Sequence, residues 1–147
     1  MRYTLKDYQD DAVGDTLREL ASARDFYRSA SKRVSSVALT ATMGAGKTVM
    51  AAAVIEALFW GNDDYSVAPD PGAVVLWFSD APSLNQQTRH RLEQASDRLR
   101  NRLVTVEHPF RYPKLQAGHA YFLNTSKLSK NSLLVRGHAS NIHDCLS

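Results

Sequence analysis

The first part of the chain has apolar residues at the spacing of an amphipathic helix. Between positions 6 and 30, charged residues separate the apolar ones, which are Val13, Leu17, Leu20, Ala21 and Phe26. This spacing predicts one long helix over 6–30, which the polar run Ser29–Lys32 ends. Two more helices are predicted: the Ala-rich segment Lys47–Trp60, which Gly61 stops, and Pro82–Arg100, which begins at a proline.

Between these helices lie apolar runs that are typical of strands. Val34–Thr40 is apolar and β-branched, and Ala73–Ser79 is the continuous apolar run that a buried parallel strand shows. Leu103–Val106 and Ala120–Leu123 are shorter runs of the same kind. Strands that alternate with helices predict an α/β fold with a parallel sheet flanked by helices. Ligands of such sheets bind at the carboxyl ends of the strands.

A glycine-rich turn stands between the first predicted strand and the second predicted helix. Residues 41–48 read Ala-Thr-Met-Gly-Ala-Gly-Lys-Thr, and a strand–turn–helix segment that closes on Gly-Lys-Thr is a phosphate-binding loop. Its backbone N–H groups would meet phosphate oxygens, Lys47 would bridge the β- and γ-phosphates, and Thr48 would bind Mg²⁺. The residues that this motif assigns to the nucleotide are Met43, Gly44, Ala45, Gly46, Lys47, Thr48 and Val49.

The loop departs from the usual pattern at one place, because Ala41 stands where the pattern begins with glycine. The alternative interpretation is a glycine turn that caps an ordinary helix, with a lysine there by chance. The strand–turn–helix context favours the phosphate loop.

Composition narrows the class of protein. The 147 residues are enough for one domain, and 44% hydrophobic with 22% charged residues is a globular composition. The net charge of +3 permits nucleic acid as a partner without indicating it. The single cysteine, Cys145, excludes an internal disulfide and fits a reducing compartment. With no long apolar run and no signal-peptide core, we expect a cytoplasmic protein without a membrane partner.

Four segments in order resemble the first RecA-like motor domain of superfamily 2 helicases. They are Leu5-Lys6-Asp7-Tyr8-Gln9, the phosphate loop, Phe78-Ser79-Asp80 with Ser83-Leu84-Asn85-Gln86-Gln87, and Tyr121-Phe122-Leu123-Asn124-Thr125-Ser126-Lys127-Leu128. The nearest branch looks like the helicase subunit of type III restriction enzymes and related DEAD/DEAH-box proteins. The resemblance implies a P-loop NTPase with a partial RecA-like sheet over 1–136, and ATP and Mg²⁺ as cofactors. Residues 137–147 have no apolar pattern, which predicts an irregular tail.

The resemblance also implies roles outside the loop. In that family the glutamine after an aromatic residue reads adenine, and this place is Gln9 after Tyr8; the alternative is a plain polar helix position. Relatives contact the nucleic-acid backbone at places that correspond here to Ser79, Asp80, Ser83, Gln87, Asn124 and Thr125. Ordinary helix capping and turn chemistry is the alternative for these residues.

No Asp-Glu dipeptide occurs in the chain. The second acidic motif of relatives, which helps to hold Mg²⁺ and activates the attacking water, is therefore missing. We expect a fragment that stops before this motif, with uncovered sheet edges, and that lacks the second motor domain or a methyltransferase or specificity subunit as its partner. The function implied is the ATP-binding part of a DNA helicase or translocase of a restriction system, catalytically incomplete by itself. The alternatives are a self-contained P-loop kinase of nucleotides or small molecules, and a non-catalytic nucleotide-binding module.

Overall fold

The computed structural model describes residues 1–29, 32–106 and 114–124. Its helices are α1 (Asp7–Arg28), α2 (Lys47–Trp60) and α3 (Pro82–Ala95), followed by a 3₁₀ turn over Asp97–Leu99. Its strands are β1 (Val74–Ser79), β2 (Leu103–Thr105) and β3 (His119–Asn124). The described part of the chain contains no helix that is both long and apolar enough to cross a membrane.

The three strands form one parallel sheet in the order β1-β3-β2. Val74 pairs with His119 at one end of the β1–β3 ladder and Ser79 pairs with Asn124 at the other. Parallel strands need a crossover connection, and α3 supplies it between β1 and β2. The predicted α/β class and the three strands after position 72 are confirmed.

Helix α2 is the centre of the molecule. One of its faces packs with α1, where Val13 and Leu17 share a buried cluster with Met50. Another packs on α3 and the sheet, where Ile55 and Phe59 join the cluster of Leu92, Leu99 and Phe122. Helix α2 is covered on both sides. This explains why its sequence is apolar nearly all around the helix and not on one face alone.

The opposite face of the sheet is only partly covered by the residues that the structure describes. Val106, Tyr121 and Leu123 form a small cluster there, which contains no residue of the three helices. Val74 and Phe78 of the edge strand β1 are 37% and 45% exposed. Apolar side chains on an edge strand leave a surface on which further structure can pack.

The predicted strand Val34–Thr40 is wrong. These residues are not part of the three-stranded sheet, and they are exposed, with Val34 at 87%. A strand exists only where a neighbour completes its hydrogen bonds, so apolar and β-branched composition alone does not produce one.

The predicted helix Pro82–Arg100 is too long at its carboxyl end. Helix α3 ends at Ala95, and Ser96 takes an extended conformation with φ −143°. The fully buried Ser96 hydroxyl donates to the Glu56 carboxylate of α2. Serine competes with the helix by such side-chain bonds, and here the competing partner is another helix.

Candidate functional site

The loop before α2 needs glycine at two positions. Gly44 has φ +79° and Gly46 has φ +83°, both in the left-handed region. A side chain costs energy there, whereas glycine adopts this conformation freely. Gly46 is the residue that precedes α2, and its carbonyl accepts the first helical bond from the Met50 N–H at 3.0 Å. The Gly-x-Gly-Lys-Thr spacing therefore turns the chain directly into the helix.

The amino-terminal end of α2 is open for an anion. No side chain caps it, since Gly46 has none, and its first turn holds no acidic residue. The first N–H groups of a helix have no partner within the helix, and they carry the positive end of its dipole. The loop and this helix end form a concave surface that favours negative charge.

A cavity of about 460 Å³ lies against this helix end. The residues that line it are Tyr3, Met43, Gly44, Gly46, Lys47, Thr48, Val49, Arg91 and Gln94. None of them is acidic. Among the described residues, the side chains of Lys47 and Arg91 have no hydrogen bond or ion pair. Two cations without a carboxylate make this cavity suitable for a polyanion.

Tyr8 and Gln9 of α1 contact the phosphate loop at one atom. Gln9 Nε2 donates to the Ala45 carbonyl oxygen at 2.8 Å, and the Tyr8 hydroxyl donates to the same oxygen at 3.1 Å. Gln9 Oε1 accepts from the Lys6 backbone N–H at 3.0 Å. Gln9 is only 8% exposed, and a Cβ on Gly46 would lie 2.4 Å from Gln9 Nε2.

Sequence reasoning missed this contact between Gln9 and the loop. One signal for it was present, because Gln9 stands four residues before Val13 and therefore on the buried face of α1. A glutamine on a buried face needs hydrogen-bond partners, but the sequence does not say that one of them lies 36 residues away.

A second, smaller cavity of about 230 Å³ lies on the α1 side of Ala45. The residues that line it are Tyr8, Ala12, Leu39, Thr40, Ala41, Thr42, Ala45 and Met50. Its walls are mostly apolar, with an aromatic ring at one side. Neither Lys47 nor Arg91 lines it, so the two cavities differ in charge as well as in size.

The wall that carries Arg91 and Gln94 is fixed to α2 by the first residues of the chain. The Met1 ammonium group contacts Glu56 at 2.9 Å, and the Arg2 backbone N–H donates to the Ala95 carbonyl at 2.8 Å. The Arg2 guanidinium pairs with Asp97, and its hydrogen bond lowers the pKa of that carboxyl. Tyr3 is thereby held at the cavity.

Some of the residues expected to contact nucleic acid lie together at one end of the sheet. Ser79 and Asn124 are register partners at the carboxyl ends of β1 and β3. The Ser79 hydroxyl donates towards Asn85 Oδ1 at 2.7 Å and lies 3.0 Å from the Ala81 carbonyl, so this turn is tied to the start of α3. The exposed members of the set are Asp80, Ser83 and Gln87. Thr125 and the predicted tail 137–147 lie outside the described residues.

Comparison with known proteins gives one match. No curated protein and no solved structure matches the chain. A family model described as type III restriction enzyme, res subunit, matches residues 2–144, which is nearly the whole sequence. The match supports an ATP-binding module of the helicase type, in agreement with the glycine loop, the parallel sheet and the flanking helices, which together are a partial RecA-like P-loop fold. The chain therefore belongs to the family of type III restriction enzyme res subunits.

Proposed function

We propose that this chain is the ATP-binding part of a DNA helicase or translocase that acts in a restriction system. The observation that carries the proposal is the cavity at the start of α2, which combines two left-handed glycines, open helical N–H groups and Lys47, whose side chain has no ion pair among the described residues. Membership of the res subunit family supports the same function.

The residues of the loop fit a nucleoside triphosphate with its metal ion. Apart from Gly44 itself and its two chain neighbours, no atom of the described residues lies within 4 Å of the position of a Cβ added to Gly44, so a phosphate can approach the backbone closely. In this proposal Lys47 bridges the β- and γ-phosphates and Thr48 gives its hydroxyl to Mg²⁺, with Met43 and Val49 at the sides. Mg²⁺ commonly takes phosphate oxygens, water and only one or two protein ligands, so a cavity wall without carboxylates is compatible with it.

The adenine base is assigned to the smaller cavity beside Tyr8. Tyr8 is half-exposed and offers a ring face, and the cavity walls are largely apolar. Gln9 already uses one amide N–H on Ala45 and one lone pair of Oε1 on Lys6. One N–H and one lone pair of this amide remain, which is the number that two hydrogen bonds to a base edge require.

The DNA backbone is assigned to the turn after β1 and the end of β3. Ser83 lies in the first turn of α3, where free N–H groups suit a phosphate. With Ser79, Asp80, Gln87, Asn124 and Thr125 it forms the proposed contact set. The proposal includes a second motor domain or a methyltransferase or specificity subunit as partner, and the cytoplasm as location.

The decisive experiment is a titration of wild type and Lys47→Ala with a fluorescent ATP analogue in the presence of Mg²⁺. Charge-assisted contacts are worth roughly 1.5–3 kcal/mol, so we expect about a ten- to hundredfold loss of affinity for ATP and little change for adenosine. Lys114→Ala is the matched control, because Lys114 is exposed and lies outside the cavity. Equal affinity of wild type and Lys47→Ala would refute the assignment of the loop.

A further inference from the structure

Helix α3 brings a second cation to the phosphate cavity. Arg91 lies on the last two turns of α3, and its side chain lines the cavity together with Lys47 and Thr48. It is 43 positions from Thr48 in sequence, and it belongs to none of the motifs that predict the nucleotide site.

Arg89, two residues earlier on α3, is an arginine whose side chain has a structural role. Arg89 Nε pairs with Glu93 at 3.0 Å, and Arg89 Nη1 donates to Thr105 at 3.2 Å. Both groups of Arg89 thus have protein partners, and they tie α3 to β2. Arg91 is exposed and has no such partner among the residues that the structure describes. A guanidinium that lines an anion cavity and has no carboxylate beside it is available for a ligand.

The two cavities give the direction in which a nucleotide would lie. Of these two cavities, Tyr8 lines the smaller one and Arg91 the larger one, and Ala45 with its glycine neighbours lies between them. If the base occupies the cavity beside Tyr8, the phosphates extend across the loop into the larger cavity, and the terminal phosphate lies farthest from the base. Arg91 is therefore on the side of the terminal phosphate.

We propose that Arg91 binds the terminal phosphate of the nucleotide, so that α3 contributes to the distinction between a triphosphate and a diphosphate. This inference rests on the proposed function and adds a residue from outside the loop to it. Arginine suits the role because its planar fork can donate two parallel bonds to one phosphate. Gln94 lines the same wall one turn later, and its amide lies 3.0 Å from the His90 ring nitrogen, so its nitrogen already has a neighbour.

The test compares the binding of Mg²⁺-ATP, ADP and adenosine by wild type, Arg91→Ala and Arg91→Lys. Arg91 is exposed, so water and salt weaken its contact, and we expect about a tenfold loss of ATP affinity in Arg91→Ala. ADP affinity should fall by no more than about twofold, because the lost charge-assisted bond would be to the absent phosphate. The ATP affinity of Arg91→Lys should lie between those of wild type and Arg91→Ala, because lysine keeps the charge but lacks the planar fork of donors.

Arg100→Ala is the matched control for the loss of one positive charge. Arg100 is exposed, its guanidinium pairs with Asp97 at 3.5 Å, and it is not among the described residues that line the cavity. It should bind ATP and ADP as wild type does, and thermal unfolding should show that both alanine variants are folded. If Arg91→Ala keeps the wild-type ratio of ATP to ADP affinity while Lys47→Ala loses affinity for ATP, the role of Arg91 is wrong and the proposed function stands. If Lys47→Ala also binds ATP like wild type, the proposed function and this inference fail together.

Discussion

Gly46 is a position of the glycine loop at which the side chain of Gln9 from α1 leaves no room for a Cβ. Its backbone is left-handed at φ +83°, and an added Cβ would lie 2.4 Å from Gln9 Nε2. Such a distance is shorter than any contact that a real Cβ makes, so Gly46→Ala cannot be accommodated without movement of Gln9. The substitution should therefore combine backbone strain with the loss of a hydrogen bond.

The magnitude follows from these two contributions. An alanine in the left-handed region costs roughly 1–2 kcal/mol. If the Gln9 amide withdraws, it gives up its bond to the Ala45 carbonyl, which is worth about 0.5–1.5 kcal/mol net. We expect Gly46→Ala to lower the free energy of unfolding by about 1.5–3.5 kcal/mol, the sum of these contributions.

Gly44→Ala is the matched control. Gly44 is also left-handed, at φ +79°, but nothing lies within 4 Å of its added Cβ. It should show the backbone strain without the collision, a loss of about 1–2 kcal/mol. The difference between the two variants isolates the contact with Gln9.

The assay is urea unfolding followed by the fluorescence of the two tryptophans, Trp60 and Trp77. A double-mutant cycle with Gln9→Ala provides the strictest test, since Gln9→Ala removes the group with which the new Cβ collides. The double variant should be less destabilised than the sum of the single ones, by about 1 kcal/mol. Additive effects, or equal losses in Gly46→Ala and Gly44→Ala, would refute the close approach of Gln9 to the loop.

Two further predictions concern alkaline stability and turnover. Burial and the hydrogen bond that its hydroxyl donates to Asp10 raise the pKa of Tyr65. The folded state therefore retains this proton above the ordinary pKa of about 10, where the unfolded state loses it. The free energy of unfolding should decrease as the pH rises beyond that value. Urea unfolding against pH should show a steeper alkaline loss in wild type than in Tyr65→Phe, and parallel curves would contradict it. The 147-residue polypeptide alone should show no motor-like ATP turnover, because it has no Asp-Glu dipeptide, and an arginine from a second domain is typically worth about 10³–10⁵ in rate. A phosphate-release assay with and without DNA checks this, and DNA-stimulated turnover near ~1 s⁻¹ that Lys47→Ala abolishes would show the prediction to be wrong.

The elements that were predicted correctly are those whose signals are local. Helix α1 shows its period within a few turns, α2 ends at a glycine with φ +76°, and the apolar run after position 72 forms the strand β1. The prediction that this strand is buried is wrong, because β1 lies at the edge of the described sheet and its residues are half-buried or exposed. The glycine turn before α2 is also local, since the left-handed positions Gly44 and Gly46 lie within one turn of Lys47; its role in binding phosphate stays a prediction. For these features the neighbouring residues alone determine the outcome.

The features that were missed depend on residues far away in sequence. Whether Val34–Thr40 becomes a strand depends on a neighbouring strand, and no pattern within the segment reports one. The end of α3 depends on Glu56, 40 residues before Ser96. Arg91 reads like any charge on a solvated helix face, and only the packing of α3 against α2 places it in the cavity of Lys47. Contacts of this kind follow from tertiary packing, which sequence periodicity does not encode.

The carbonyl oxygen of Ala45 connects the two halves of the proposed nucleotide site. It accepts from both Tyr8 and Gln9, which are consecutive residues of α1, while the residues on either side of it are the two left-handed glycines. Helix α1 also packs on α2 through Val13 and Leu17, and this packing holds the two donors in position relative to the loop. A base that engages the remaining N–H and lone pair of Gln9 leaves the bond to Ala45 in place and adds to the forces that hold Gln9 there. In the proposed site, the loop backbone is therefore linked to the base side through the hydrogen bonds to this oxygen atom, and the substitution at Gly46 would disturb the bond that Gln9 donates.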